Sequence, residues 1–584
     1  MFIGRIKLSV QRSIAVLDGI CHQIWLSDEK YKIYSKKVYV PIALAVVFLT
    51  FFSPNLDGFV LWSLGCLIGI LTSCGILIYC GKKKKVLLAD KKFCLISVFS
   101  ASMISLSHRH DLAERVFRRT SFLCSMLKIN VSSIAADLCN LAIMISGTVL
   151  LFFVFVVFTY FFYKWFYRHA KSIAKEFSSS EKKELMFFWL LYIILITLSY
   201  LKTYVFYNIS YPFIVDIVYT SDTGLLYETN TWLVLSAPEN DIRQPLFALF
   251  SAPFCVLPYF ISGIFFFIPN LYAYLMAFTQ AFIILSSLLI ICRIVMESSS
   301  VERMLLFAML STTFPVFLFI TNMEQYAFAL FWVVVYLYLL CVKNTSKRGL
   351  QFPLVAAAGS IMTSWILLLT TWTRGKLLEN IRYCIKTVVL FLVLCIVFFR
   401  VSVITGAVNR TAYLLGSFST LSAQTNNDCD LYHRIIQFSN FVYSCVFAPE
   451  STIVVNRLGH WSYQMCELGH IKICGIFFFC FAMFGFWVSR KKTIAKVSLL
   501  WIALSVLLLL VIGYGTVENG TVLYTLYFSW AYYILMFFAL CRIIPLYAKL
   551  RLAIFGGIVI LQTAINFPAI IRTIQFGIHY YPAR

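Results

Sequence analysis

Apolar runs of about twenty residues recur from Val38 almost to the C-terminus, and that recurrence decides the fold class. A hydrocarbon core about 30 Å thick needs about twenty helical residues to cross it. Inside lipid the backbone must satisfy its own hydrogen bonds, which leaves helices or closed barrels. Barrel strands would appear as short alternating segments, and the chain has none. The expected fold is all-α: a polytopic transmembrane helical bundle of about fourteen spans. Composition agrees, with 61% apolar and 13% charged residues, where a soluble domain is nearer half and a quarter. The net charge of +24 then belongs to cytoplasmic loops that follow the positive-inside bias and lie against anionic lipid. Lys82-Lys83-Lys84-Lys85 and Arg490-Lys491-Lys492 each abut an apolar run. No basic, aromatic-interleaved domain stands apart from the spans, so nucleic acid is not an expected partner.

Two regions are expected. Residues 1–184 form an N-terminal membrane region of about four spans, near 38–53, 59–80, 93–107 and 139–163. The basic stretch from His108 to Arg119 lies between the last two. The first thirty-seven residues are polar and basic, which suggests a cytoplasmic N-terminus and a multi-pass protein of a bacterial inner or plasma membrane. The charged linker Ser178–Leu185 (SSSEKKEL) opens the second region, 185–584. Its runs lie near 186–207, 245–267, 271–295, 304–321, 325–342, 351–372, 384–400, 471–488, 496–513, 522–541 and 552–571. If every run crosses once, Lys343–Arg348 falls outside, against the bias. One run is therefore expected to be re-entrant, and Pro253 with Pro258 makes 245–267 the first choice.

This topology puts two loops outside, 208–244 and 401–470. The first holds five of the chain's 25 acids, Asp216, Asp222, Glu228, Glu239 and Asp241, with Arg243 as its only basic residue. Topology bias alone leaves some solvated acids in an outer loop. Yet Leu225, Leu226, Tyr227, Trp232 and Leu233 suggest short amphipathic helices on the membrane face. Asp222, in Ser-Asp-Thr-Gly, resembles a helix-capping turn that holds a carboxylate on backbone N–H groups. Arg243, with Gln244-Pro245 at the threshold of the next run, can bind a phosphate bidentately, pair with Asp241, or reach to headgroups. Two further acids fall at ends on the same face: Glu324 in Thr-Asn-Met-Glu-Gln-Tyr, where an acid at membrane depth is costly, and Glu518 in a late hairpin. The 401–470 loop has Arg410, Arg434 and Arg457 but no lysine, a pattern suited to fixed recognition of phosphate or carboxylate. Its segment Leu431–Phe447 is apolar enough to return to the membrane surface, and Cys429, Cys445 and Cys466 offer a disulfide without fixing one. His433, His460 and His470 are not spaced as a metal site.

This layout resembles the GT-C superfamily of integral membrane glycosyltransferases, over about residues 185–571. In that family a first core span leads to an outer loop of surface helices carrying an essential acid, and a proline-containing motif begins the next span. Here 186–207, Asp222 and Asp241–Phe247 (DIRQPLF) occupy those places. The resemblance implies a polyprenyl-phosphate-linked sugar donor and a glycan, lipid or protein acceptor. It makes Asp222 the general base and places Asp241, Arg243, Gln244, Glu324, Arg434, Arg457 and Glu518 at the substrates. The loop has no Asp-x-Asp and no Asp-Glu pair at Asp222, so no motif indicates a divalent metal. Two other readings stay open: an O-antigen-type polysaccharide polymerase or ligase, whose key residues would lie in 401–470, and a polytopic transporter or lipid flippase, with charges inside its spans.

Overall fold

A computed structural model describes residues 91–107, 133–207, 217–221, 223–235, 237, 243–298, 300–371, 377–398, 431–455, 459–466, 474–512, 520–544 and 548–583. The runs near 38–53 and 59–80 lie outside these residues, as do Asp222, Asp241, Arg457 and Glu518. The helices are α1 (Lys91–Ser107), α2 (Ser133–Ala174), α3 (Ser179–Lys202), α4 (Thr223–Glu228), α5 (Phe247–Ile264), α6 (Leu271–Val295), α7 (Val301–Ser311) and α8 (Phe314–Thr321). There follow α9 (Tyr326–Cys341), α10 (Lys347–Ser360), a 3-10 helix (Met362–Thr371), α11 (Leu377–Val397) and α12 (Leu431–Ser444). After the strands β1 (Ser451–Val455) and β2 (Trp461–Met465) come α13 (Cys474–Ser489), α14 (Thr493–Ser505), α15 (Thr525–Ile543) and α16 (Ala548–Tyr580). Among the described residues six helices are long and apolar enough to cross a membrane, or seven if the bent pair α7–α8 counts as one span.

The all-α expectation needs one correction. β1 and β2 form an antiparallel hairpin within the 401–470 loop, pairing Ser451 with Met465 and Val455 with Trp461. β-Branched and aromatic residues (Thr452, Ile453, Val454, Val455, Trp461, Tyr463) favour a pleated surface. The apolar helical period of the spans hid so short a signal.

Charged residues collect at one end of the bundle, here called the basic side. Ser178 caps α3 reciprocally with Glu181: the Ser178 amide donates to Oε2 at 2.8 Å and the Glu181 amide donates to Ser178 Oγ at 3.3 Å. Glu181 also pairs with Arg303, both side chains being only 1% exposed. Glu176 binds Arg293 at 2.9 Å and Lys343 at 2.5 Å, and Glu302 binds Arg551. These pairs put the starts of α3, α7 and α16 and the ends of α6 and α9 on one side. The opposite end, where α4 and the hairpin lie, is the loop side.

That sorting explains Lys343. α6 starts on the loop side, where Tyr227 Oη donates to Ala273 O at 3.1 Å and Tyr272 Oη to Asn230 Oδ1 at 2.8 Å. α5 begins beside the loop-side end of α9, with Phe247 against Phe328 at 5.7 Å, and is joined to α6 by six residues. Both ends of α5 therefore lie towards the loop side, and Lys343 returns to the basic side with Glu176. α1 and α2 run antiparallel, pairing Phe93 with Tyr167 and Ser100 with Tyr163, and Tyr163 donates to Pro253 O of α5 at 3.0 Å.

α7 and α8 meet at a bend of 58° around Thr312-Thr313. A break frees backbone groups that lipid cannot satisfy, and side chains take them. Asn566 Nδ2 donates to Thr312 O and Val446 O, each at 2.9 Å, and Tyr192 Oη donates to Ser311 O at 2.5 Å. The Phe314 amide donates to Val446 O at 3.1 Å, so the late loop itself reaches the break.

Candidate functional site

The two outer loops are paired. Tyr219 N donates to Tyr463 O at 2.9 Å and Tyr463 N to Ile217 O at 2.7 Å, a bridge between the early loop and β2. Tyr219 Oη shares a hydrogen bond with Ser451 Oγ at 2.6 Å. Both segments are buried on both faces here, residues 217–221 throughout and β2 from Ser462 to Met465, and Tyr219 and Tyr463 are 1% and 7% exposed.

The early loop then turns inward. α4 starts at Thr223, so Asp222 directly precedes the helix, the place the Ser-Asp-Thr-Gly turn suggested. Thr223 Oγ1 donates to Met323 O at 3.0 Å. The residue after the candidate base is thus fastened to the residue before Glu324. Glu324 is 4% exposed, at the break between α8 and α9.

Gln280 of α6 organises that break. Its Nε2 donates to Phe319 O at 2.5 Å and Asn322 O at 2.9 Å, and its Oε1 accepts from Glu324 N at 3.2 Å. Between them, Asn322 is 1% exposed, and neither Oδ1 nor Nδ2 has a hydrogen-bond partner among the described residues. Gln280 and Asn322 escaped the sequence reading. The available signal was an amide inside the apolar run of α6, and one two residues before Glu324.

Arg243 and Gln244 are pinned from another direction. Met362 N donates to Arg243 O at 2.8 Å and Leu246 N donates to Gly359 O at 2.9 Å. A Cβ on Gly359 would sit 2.9 Å from Leu246 Cβ, so this approach requires glycine. Arg243 is exposed; Gln244 is buried, and its Oε1 lacks a partner among the described residues. Beyond Met362, Thr363 and Ser364 hydrogen-bond the Tyr527 hydroxyl at 3.2 and 2.7 Å. Tyr527 and Tyr524 both pack on Tyr326, at 6.5 and 5.8 Å.

Arg434 commits one of its guanidinium nitrogens to the backbone. Its Nη1 donates to Val511 O at 3.0 Å, at the end of the helix that leads to the Glu518 segment. One turn along α12, Gln437 accepts from Thr521 at 3.5 Å. Thr223, the Met362–Ser364 turn beside Arg243, and the turn of Thr521 and Tyr524 therefore reach the start of α9 through a few contacts. Cys445 and Cys466 are free thiols, and Cys429 lies outside the described residues. Among the described residues no cluster of His, Cys, Asp and Glu could hold a metal. Searches of protein-family models, curated proteins and solved structures find no match to this chain.

Proposed function

We propose that the protein is a membrane glycosyltransferase that moves a sugar from a polyprenyl-phosphate donor to a glycan, lipid or protein acceptor on its loop side. The observation that carries this reading is the Thr223–Met323 hydrogen bond, which draws the acid-bearing early loop onto the Glu324 break. The resemblance to GT-C enzymes supports it as well. In the proposed reaction Asp222 takes the proton of an acceptor hydroxyl as its oxygen attacks the anomeric carbon. The bond from that carbon to the phosphate oxygen breaks, the electron pair leaves with the lipid phosphate, and the configuration inverts. Arg243, with Arg457 or Arg434, stabilises the leaving phosphate. Asp241, Gln244, Glu324 and Glu518 hold sugar hydroxyls or orient Arg243.

Asp222→Asn should abolish transfer from a polyprenyl-phosphate sugar in proteoliposomes, while the protein keeps its melting temperature in detergent. Undiminished transfer would sink the assignment. A transporter is the second reading, and the bend at Thr312-Thr313 favours it, since transporters break helices near the midplane. The side chains that hold this bend, Thr312, Gln562 and Asn566, are uncharged and bonded to one another or to backbone. The transferase reading takes precedence on that account.

A further inference from the structure

α16 crosses from the charged pairs of the basic side to the hairpin. Between Arg551, which pairs with Glu302, and Arg572 it carries no charged residue. The two arginines are twenty-one residues apart, about 31 Å of helix, which is close to the thickness of a hydrocarbon core. Arg572 is exposed. Eleven residues earlier on the same face, Leu561 is 51% exposed, and that face meets lipid in a spanning helix. Farther along that face the exposed residues are Gln575, Ile578 and His579, so polar side chains enter the outward face from Arg572 on. The side chain thus sits where an outer leaflet places its phosphates.

Its surroundings suit an anion. No carboxylate pairs with Arg572 among the described residues. The phenols of Tyr219 and Tyr463 lie beside it. These are the two residues that join the outer loops, and Tyr219 is further fixed by Ser451. A planar guanidinium matches two phosphate oxygens at once, and the hydrogen bond between Arg572 and the Tyr463 hydroxyl holds it in place.

We infer that Arg572, braced by Tyr463, binds the phosphate of a lipid in the leaflet on the loop side. The inference rests on the membrane placement of α16 and not on the transferase reading. It nevertheless brings such a phosphate to the seam that carries Asp222, three residues beyond Tyr219.

The test is native mass spectrometry of the full chain in a zwitterionic detergent, titrated separately with phosphatidylglycerol, undecaprenyl phosphate and inorganic phosphate. The wild type should retain one or both lipids in preference to inorganic phosphate. Arg572→Gln should weaken that retention about tenfold, roughly the loss of one charge-assisted contact. Arg572→Lys should recover part of it, and both variants should melt with the wild type, because the side chain is exposed. Preference for undecaprenyl phosphate makes the ligand a donor-type lipid, and preference for phosphatidylglycerol makes it a bilayer lipid; either supports a lipid-phosphate site. Equal retention by Arg572→Gln, no retained lipid in the wild type, or inorganic phosphate bound as tightly as the lipids would overturn it. A transfer assay on the same samples judges the enzyme reading separately.

Discussion

On the basic side of the bundle Glu176 holds Arg293 and Lys343, Glu181 holds Arg303, and Glu302 holds Arg551. Across the bundle, on the loop side, Asn322 is buried with both amide atoms unpartnered among the described residues, and Arg572 is exposed and pairs with no carboxylate among them. Each layer terminates the same helices, so length and hydropathy do not distinguish them. The difference lies in where the polar groups find partners. On the basic side they are satisfied within the protein and fix the order in which helix ends meet. On the loop side several await something the protein does not supply, which is what a binding face requires. The basic side has exceptions too: Arg303 Nη2, Glu184 Oε2, Tyr338 Oη and Ser498 Oγ are among its buried groups that lack partners among the described residues.

The sharpest way to break this contrast is at Arg303. Removing one member of a buried ion pair leaves its partner's charge uncompensated, at a cost of about 3–5 kcal/mol. Arg303→Leu should therefore lower stability by about that amount in denaturant unfolding in detergent, and adding Glu181→Leu should recover most of it. A loss below about 1 kcal/mol would mean that the pair does not fix the helix ends.

A smaller effect separates two neighbours on the loop side. Gln280→Leu strips three hydrogen bonds from the break before α9 and should cost about 2 kcal/mol, at roughly 0.5–1.5 kcal/mol per bond. Asn322→Leu removes no bond made within the described residues, so the melting temperature should hold or rise. Transfer by that variant should nevertheless fall about tenfold if Asn322 meets a sugar hydroxyl. Equal destabilisation by both substitutions would erase the distinction between a group that builds the break and one that serves a ligand.

How much of this was legible in the sequence follows from the physics of each signal. Long apolar runs carry their own reading, so the helical spans and the separate behaviour of 245–267 were visible, the latter through Pro253 and Pro258 and the misplaced Lys343. The pairing of the early loop with β2 was not, because Val218 and Tyr463 are 245 positions apart and backbone bridges leave no residue signature. The Ser-Asp-Thr-Gly segment pointed to a helix start, and α4 begins at Thr223. Gln280 went unread because one amide in an apolar helix scarcely changes its hydropathy, and only the fold shows that it meets the break. Arg434 attracted attention as an outer arginine, and only the fold shows that one of its nitrogens bonds Val511 O, where a helix end supplies the acceptor.

The mildest way to sharpen the comparison is through pH, at the exposed margin of the basic side. Hydrogen bonds from Lys343 and then Arg293 hold the Glu176 carboxyl below the usual carboxylate range, and Glu176 in turn raises Lys343. A carboxyl with a depressed folded pKa contributes stability that is fully present above its unfolded value, about 4.3, and is lost as pH falls through the folded value. Lys343 has the opposite sign: its contribution is present below the unfolded lysine value, about 10.4, and fades only as pH rises through the folded value. Stability should thus be flat in this contribution between about pH 5 and pH 10 and decline on both flanks. Glu176→Gln should shallow the acid limb of a melting-temperature profile and leave the neutral plateau lower by a small, salt-sensitive amount, because the pair is partly open to solvent. An acid limb identical in the variant would show that Glu176 merely accompanies Lys343 to the basic side, and that burial of the helices alone sets the crossing order.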